Sequence, residues 1–394
     1  MNFIRTLLLL GSMLVPGNVV LADGLDFALG KALFDRPWSS APSSTIASDG
    51  LGPLFNARAC AACHPRGGRG SFREQSDGKI SGNGLLLRIG NRRGDGDPVY
   101  GTQLQTLAIQ GLRAEGKLKR LASGHVVATS LEYGPLHEAS LVSGRLAPSL
   151  HGLGLLARVP EARILEMADP EDVNQDGISG RVNKIADDAE GLTLGRFGWK
   201  AGKTSVVSQS AAALSQDIGL SNPLYPDHYG DCTLQQTACR AAPHGGSPQF
   251  DDLEINQKML ELIAVYVSGL RPTKSNINKK GGELFNKIGC SACHRPNLKL
   301  DDGQTIRPFT DLLLHDMGAS LADGIPDGQA SGSEWRTPPL WGLGRANRYL
   351  HDGRARTIRE AISYHDGEAL SARQKFANLT EDVQETLIQF LKNL

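Results

Sequence analysis

The chain has 394 residues, in which 42 Lys and Arg are balanced by 42 Asp and Glu, and 40% of the residues are hydrophobic. This length allows two domains with separate cores, and the balanced charge excludes the strongly basic surface typical of nucleic-acid-binding proteins. Gly (46) and Pro (20) are frequent, whereas aromatic residues make up only 6%. The composition predicts short helices and long loops around a large prosthetic group.

The first residues predict export from the cytoplasm. Met1–Ala22 contains one early cation, Arg5, then an apolar run around Leu7–Leu10, and it ends in small residues before Asp23. This is the pattern of a secretory signal peptide that is cleaved after Ala22. No later segment approaches about 18 uninterrupted apolar residues. We therefore expect a periplasmic mature chain without a membrane span.

Four of the six cysteines lie in two copies of the motif Cys-x-x-Cys-His, and each copy follows a Leu-Phe-Asn tripeptide. This motif is the attachment signature of c-type haem: the thiols bind the vinyl groups and the adjacent His becomes an iron ligand. A zinc site would need four N or S ligands, and neither motif has a second cysteine pair nearby. The sequence predicts two covalent haems, held by Cys60, Cys63, His64, Cys290, Cys293 and His294.

The remaining cysteines, Cys232 and Cys239, lie seven residues apart in a Pro- and Gly-rich stretch. An oxidising compartment permits a loop disulfide between them. The alternative is a redox-active dithiol, but this pair lacks the Cys-x-x-Cys spacing at a helix start that lowers the pKa of a thiol. We expect a structural disulfide.

The chain also repeats itself in the same order around the two haem motifs, which indicates a duplicated haem domain. The repeat predicts a mainly α fold with two cytochrome c-like domains, residues 23–272 and 273–394, after the signal peptide of residues 1–22. Long loops enlarge the first domain, and Gly84–Ile89 and Gly124–Leu131 are candidates for a small β-hairpin. The matching pairs are Gly52–Pro65 with Gly281–Pro296, Ala147–Gly154 with Thr337–Gly344, Gly198–Ala213 with Leu350–His365, and Leu262–Leu270 with Leu387–Leu394.

The repeat predicts that the two irons differ. When Trp199 is aligned with His351, Ala213 falls opposite His365. The second iron would therefore have two imidazole ligands, His294 and His365, while the first would keep an open position. Six-coordinate iron exchanges electrons, whereas open iron can bind and activate a small molecule. The rival ligands for the second iron are Met317 and His315.

An open haem that cleaves peroxide needs a group that moves a proton and a donor that orients the two oxygens. Gln209 lies in the segment aligned with the second domain's ligand region, Asp217 lies eight residues further on, and we expect them to take these roles. The alternatives are a surface amide and a solvated charge at a helix end. Three other residues are candidates for covering the first iron: His125, His137 and His151.

A separate segment resembles the first half of a calcium loop. Asp172, Asn174 and Asp176 supply oxygen atoms at positions 1, 3 and 5, and Gly177 stands at position 6. Position 12 holds Asn183 where a bidentate Glu is expected. The loop is therefore either a calcium site or a turn stabilised by its own Asx side chains.

Several phrases make the chain similar to the di-haem oxidoreductase family, whose members are described as peroxidases or thiol oxidoreductases. The resemblance implies that one haem reacts with peroxide and the other transfers electrons, with Trp199 between the haems and with Gln209 and Asp217 on the distal side. Asp217 stands where relatives have Glu, and nothing in the sequence supports a thiol activity. The phrases include GPLFNARACAACHPRGGRG, APSLHGLGLLARVPE, DVNQDGISGRVN, LGRFGWKA, EWRTPPLWGLG and YLHDGRARTIREAI.

The sequence is compatible with three functions. The first is a periplasmic peroxidase-type enzyme that uses peroxide and a small electron-carrying protein as partners. The second is an electron-transfer cytochrome in which both irons are six-coordinate. The third is an oxidase that acts on the side chains of a partner protein.

Overall fold

The computed structural model describes residues 24–187 and 191–394. The predicted signal peptide, Met1–Ala22, lies outside the described residues. Within the described ranges, no helix has the length and apolar character needed to cross a membrane.

The helices are short, and the longest are found near the ends of the two repeats. Asn256 caps the helix that ends the first repeat, because its side-chain oxygen accepts a hydrogen bond from the Met259 N–H at 3.1 Å. The helices are α1 (Gly24–Asp35), α2 (Cys60–Cys63), α3 (Leu153–Ala157), α4 (Glu161–Leu165), α5 (Val206–Ala213), α6 (Thr237–Arg240), α7 (Gln257–Gly269), α8 (Lys279–Lys287), α9 (Ile358–Ser363), α10 (Leu370–Ala377) and α11 (Glu381–Lys392).

Short antiparallel strands form most of the insertion in the first repeat. The four-stranded sheet has the order β2-β3-β6-β7, and the other strands pair two by two as β1-β5, β4-β8, β9-β10, β11-β12 and β13-β14. The strands are β1 (Leu54–Phe55), β2 (Arg73–Glu74), β3 (Lys79–Ser81), β4 (Leu85–Gly90), β5 (Leu107–Ala108), β6 (Lys117–Arg120), β7 (Val126–Thr129), β8 (Leu141–Leu146), β9 (Lys184–Asp187), β10 (Gly191–Leu194), β11 (Leu298–Lys299), β12 (Thr305–Ile306), β13 (Leu314–Asp316) and β14 (Glu334–Arg336).

The prediction of a mainly α fold is therefore wrong: 30% of the chain is helical and 16% is in strands. The cause is the insertion after the first haem motif, which folds as β-structure instead of loops. The predicted hairpin is also wrong, since β4 pairs with β8 and β7 pairs with β6. Alternate residues of β4, namely Leu85, Leu87 and Ile89, are buried in a small core of this β region.

The two repeats share helix crossings that require glycine. In the first, α1 packs on α7, and a Cβ on Gly30 would lie 2.0 Å from the Leu262 carbonyl oxygen. In the second, α8 packs on α11, and a Cβ on Gly281 would lie 2.4 Å from Cβ of Phe390. The same close approach in both halves is what a duplicated helix pair produces.

A second shared feature joins the repeats to each other. Gly152 and Gly342, which the repeat aligns, both have left-handed backbones with φ of 82° and 73°. The indole of Trp341 packs directly on Gly152, so that this second-repeat side chain belongs to the large core of the first repeat. Gly152 therefore has two reasons to be glycine: its φ angle and the contact with Trp341.

We predict that Gly152→Ala destabilises the protein more than Gly111→Ala does. Gly111 has a similar φ of 94°, but a Cβ there meets nothing within 4 Å, whereas a Cβ at position 152 would lie 2.1 Å from Trp341 Cζ2. The free energy of unfolding should fall by about 1–2 kcal/mol for Gly111→Ala and by about 1–3 kcal/mol more for Gly152→Ala. Denaturant unfolding measures both values, and an equal loss in the two variants would contradict the packing argument.

Candidate functional site

The first haem motif opens onto a cavity of about 840 Å³ that both repeats line. Cys60 and Cys63 lie on α2, and His64 follows at its end. The cavity brings together all the residues that the sequence predicts for the first haem and its chemistry, namely Cys60, Cys63, His64, Trp199, Gln209 and Asp217.

His64 is prepared to bind a metal ion as a neutral imidazole. Burial lowers the pKa of His64 to about 4, although backbone carbonyls of Gly68 and Pro148 oppose the shift. The Nδ1 atom lies 3.3 Å from the Gly68 oxygen. When Nδ1 donates to that carbonyl, the lone pair of Nε2 is available to iron.

One continuous helical segment supplies Gln209 and Asp217. Helix α5 begins after Ser205, whose hydroxyl oxygen accepts a hydrogen bond from the Ser208 N–H at 3.0 Å. The helix continues into a π-helical turn, Leu214–Ile218, which carries Asp217. Gln209 lines the cavity from α5 and makes no side-chain hydrogen bond within the described part of the chain, so its amide can serve a ligand.

Asp217 lies in a network that the sequence did not indicate. Its Oδ1 accepts a hydrogen bond from Gln103 Nε2 at 2.8 Å, and Arg88 donates to Gln216 Oε1 at 2.9 Å. Burial raises the pKa of Asp217 to about 6, while the Gln103 hydrogen bond and the Arg88 charge lower it. A strand pattern could have indicated Arg88, because its neighbours in β4 face the β core and Arg88 faces the cavity. No local pattern indicates Gln103.

Three other residues of the cavity lining suit the carboxylates of a haem. Arg69 and Arg336 line the cavity, and neither forms an ion pair with any described residue. Burial lowers the pKa of both guanidinium groups to about 10. The indole N–H of Trp341 is buried there without a hydrogen-bond partner among the described atoms. Such groups need anionic or polar partners, and haem propionates would supply them. The residues present therefore fit the group that the motif predicts.

The second motif brings two imidazoles to the separation that one shared iron would need. The ring centroids of His294 and His365 lie 6.4 Å apart. Two imidazoles that bind one ion from opposite sides have centroids about 6 Å apart, given metal–nitrogen bonds of about 2 Å. Nδ1 of His294 faces the Phe309 oxygen at 3.0 Å, and Nδ1 of His365 faces the Ala361 oxygen at 2.8 Å. Burial lowers the pKa of both rings, and that of His294 to about 4. This arrangement fits a six-coordinate haem iron.

Of the two rival ligands, His315 has both ring nitrogens engaged. Its Nε2 lies 2.9 Å from Asp311 Oδ2 and its Nδ1 lies 2.6 Å from Glu368 Oε2. Although burial opposes the shift, hydrogen bonds to Asp311, Cys293 and Glu368 raise the pKa of His315 to about 12. An imidazolium held in this way has no lone pair for iron. Met317 follows β13 and is partly buried.

Trp199 lies where the two repeats meet. Its indole N–H donates to the Leu146 carbonyl at 2.8 Å. Its ring approaches His351 edge-on with centroids 6.5 Å apart, and His351 in turn stacks on Trp335 at 3.8 Å. Trp199 and His351, which the repeat aligns, are therefore neighbours across the junction.

Of the three histidines considered as covers for the first iron, only His151 lines the cavity. Its Nδ1 lies 3.1 Å from the Ser149 hydroxyl oxygen. His125 and His137 are exposed and lie outside the cavity lining. Ala213, which the repeat places opposite His365, does line the cavity and offers no ligand atom.

The calcium-like loop is closed by its own hydrogen bonds. Asp172 Oδ1 accepts from the Asp176 N–H at 3.0 Å, and Asn174 Oδ1 accepts from the same N–H at 2.8 Å. Asn183, the residue at position 12, is buried elsewhere and donates to the carbonyls of Lys200 and Asp327. The structure thus separates Asn183 from the loop, and calcium binding by Asp172, Asn174 and Asp176 stays a prediction.

The remaining cysteine pair, Cys232 and Cys239, forms a disulfide in the structure. Both residues are buried beside Leu54 of β1. The four cysteines of the haem motifs take part in no disulfide.

Comparison with known proteins gives one family. A sequence model described as "Di-haem oxidoreductase, putative peroxidase" matches residues 17–89 and 126–394. A search among proteins of curated function finds no relative.

Among solved structures, the chain is similar to the di-haem peroxidase BthA of Burkholderia thailandensis, with 16% identity, a TM-score of 0.45, and coverage of 94% of this chain and 86% of that one. A variant of the same enzyme has the same identity and coverage with a TM-score of 0.43. Hydrazine synthase of Kuenenia stuttgartiensis shows 14% identity and a TM-score of 0.33 over 100% of both chains. Since these TM-scores are low, the assignment of the chain depends on the family match.

We predict that His365→Ala converts the second haem from low spin to high spin, because the iron loses one of its two imidazoles. Met317→Leu is the matched control, since it removes the rival ligand and keeps the side-chain volume nearly constant. Electron paramagnetic resonance of the ferric proteins measures both. A low-spin second haem in His365→Ala together with a changed spectrum in Met317→Leu would move the ligand to Met317.

Proposed function

Because the chain belongs to the di-haem oxidoreductase family, as its match over most of its length shows, we propose that it reduces a peroxide at the first motif with electrons that enter through the second. Hydrogen peroxide, two electrons and two protons would give two waters. The observation that carries this proposal is that Gln209 and Asp217 line the same cavity as Cys60, Cys63 and His64.

Each pair of motif cysteines would hold one haem through thioether bonds, and each motif His would bind its iron. When bound, the first haem would supply an iron with a free coordination position, at which peroxide can be cleaved. Ala213 supports that assignment, because the residue aligned with the second ligand His365 has only a methyl group. The second haem, between His294 and His365, would exchange electrons.

Asp217 and Gln209 would assist cleavage by handling protons and orientation. The Asp217 carboxylate would accept a proton from one peroxide oxygen and return it to the other, which leaves as water. The Gln209 amide would donate a hydrogen bond that holds the peroxide. A carboxyl with a pKa of about 6 suits this exchange near neutral pH, since it can both gain and lose a proton there.

Trp199 would relay electrons between the two halves. It lines the cavity of the first haem, and its ring lies against His351 of the second repeat. An indole can be oxidised transiently, and two short electron transfers are faster than one long transfer.

The electrons would come from a small periplasmic redox protein, after export of the chain by the segment Met1–Ala22. The export pattern of that segment supports this location. Calcium at Asp172, Asn174 and Asp176 would be an additional cofactor.

The spin states of the ferric protein test the proposal directly. We expect one high-spin signal from the first haem and one low-spin signal from the second. Two low-spin signals from the ferric protein would favour a purely electron-transferring cytochrome instead. A protein that accumulates an oxidised state with peroxide, yet does not turn over with reduced small cytochromes, would favour an oxidase of a partner protein.

We predict that Asp217→Asn slows peroxide cleavage by about 10²–10⁴-fold, because it removes the group that transfers the proton. Asp227→Asn is the control, since Asp227 is exposed and pairs with Arg240. Stopped-flow spectroscopy measures the rate.

The carboxylate is the form that accepts the proton, and burial raises the pKa of Asp217 to about 6. The wild-type rate should therefore fall as the pH drops through about 6, and a normal rate in Asp217→Asn would refute the assignment.

A further inference from the structure

Gln103 is the side chain that contacts the carboxyl group of Asp217. It is only 1% exposed, and its Nε2 donates to Asp217 Oδ1 at 2.8 Å and to the Gln216 carbonyl at 3.1 Å. Its Oε1 accepts from Arg88 Nη1 at 3.3 Å. The amide is thus fully oriented: the oxygen faces a cation and the nitrogen faces the carboxyl group. Gln103 lies in residues 90–125, the part of the chain that the family model does not match.

Asp231 holds the backbone of this segment in place. Its Oδ2 accepts from the N–H groups of Thr102 at 2.7 Å and Gln103 at 2.8 Å, and its carboxylate also accepts from the Thr102 hydroxyl at 3.0 Å. Three hydrogen bonds to one carboxylate leave Gln103 little freedom to rotate away from Asp217.

The segment Gly230–Cys232, which leads into the disulfide loop of residues 232–239, holds Asp231 in turn. Asp231 precedes Cys232, which is bonded to Cys239. Gly230 packs against the π-helical turn that carries Asp217, where a Cβ would lie 2.8 Å from the Ser215 oxygen and 2.9 Å from Gly219 Cα. This segment therefore contacts the turn of Asp217 directly through Gly230, and it supports the partner Gln103 through Asp231.

We infer that Gln103, held by Asp231 and the Cys232–Cys239 loop, is a positioning residue that orients the Asp217 carboxyl and favours its ionised form. The inference rests on the proposed role of Asp217 as the proton carrier. It gives the disulfide a structural role, since Asp231, the residue before Cys232, holds the backbone of Gln103.

Apart from Gln103 and the residues that hold it, few charged or titratable groups face Asp217. Arg88 from β4 favours the carboxylate, and the thiols of Cys60 and Cys63 on α2 sense its charge. Haem attachment would convert both thiols into thioethers, which do not titrate. Asp231 lies near Arg88 as well, so the cation is shared between two carboxyl groups.

Cyanide binding to the ferric holoprotein provides a test that does not depend on turnover. Cyanide arrives as HCN and binds iron as the anion, so its proton passes to a distal base. The binding rate of the wild type should rise with pH, with a midpoint near the pKa of Asp217 of about 6. We expect Gln103→Met to raise this midpoint by about one pH unit, because a hydrogen bond to the ionised form is lost. Gln105→Met is the matched control, since Gln105 is similarly buried and also donates to the Gln216 carbonyl, at 3.0 Å, but makes no hydrogen bond to the Asp217 carboxyl group.

Two further variants separate the possible failures. Thr102→Val, which removes the hydroxyl that donates to Asp231 and leaves every charge in place, should shift the midpoint in the same direction as Gln103→Met, by a smaller amount. Asp217→Asn should show no such pH dependence. An unchanged midpoint in Gln103→Met, with a flat profile in Asp217→Asn, would overturn the positioning role and leave the proposed function intact. A wild-type profile in Asp217→Asn would overturn the proposed role of Asp217 itself.

Discussion

The contact between Trp341 and Gly152 determines how the two repeats build a single site. A large indole from the second repeat fills a position in the core of the first, which only a residue without a side chain can accept. The segment around Trp341, from Arg336 to Asn347, contributes to the wall of the first cavity. A haem held by the first motif would therefore lie in a pocket that both repeats line. This shared wall also explains how residues such as Trp199 and His351 come into contact.

The two repeats differ in the side chains that they present at aligned positions. Both use a capped helix at equivalent positions, with Ser205 before α5 and Thr357 before α9. The second repeat then presents His365, whereas the first presents Ala213 and continues into the π-helical turn of Asp217. The inserted segment adds a further difference, since it supplies Arg88 and Gln103 to the first cavity. A duplicated scaffold thus surrounds its two haem motifs with different side chains.

The carboxyl group of Asp217 lies where burial disfavours its negative charge. Two neighbouring side chains offset part of that cost. A buried polar group without partners would be strongly destabilising, and here Gln103 and Arg88 provide the compensation. Each of these partners is anchored by further hydrogen bonds, which extend to Asp231 and the disulfide loop. The result is a buried carboxyl group whose position is set by several hydrogen bonds, as the proposed proton transfer would require. Rigid support of this kind is what general acid–base chemistry requires of its side chains.

The sequence alone determined the features that depend on residues close together in the chain. The haem motifs, the two proximal histidines and the order of the repeats can be read directly, because the chemistry of Cys-x-x-Cys-His is complete within five residues. Tertiary structure decided the rest. The same Leu-Phe-Asn tripeptide is a strand at Leu54–Phe55 and part of helix α8 in the second repeat, because β5 pairs with the first copy while α11 packs on the second. Gln103 and Asp217 are 114 residues apart, so only the folded chain brings them within hydrogen-bond distance.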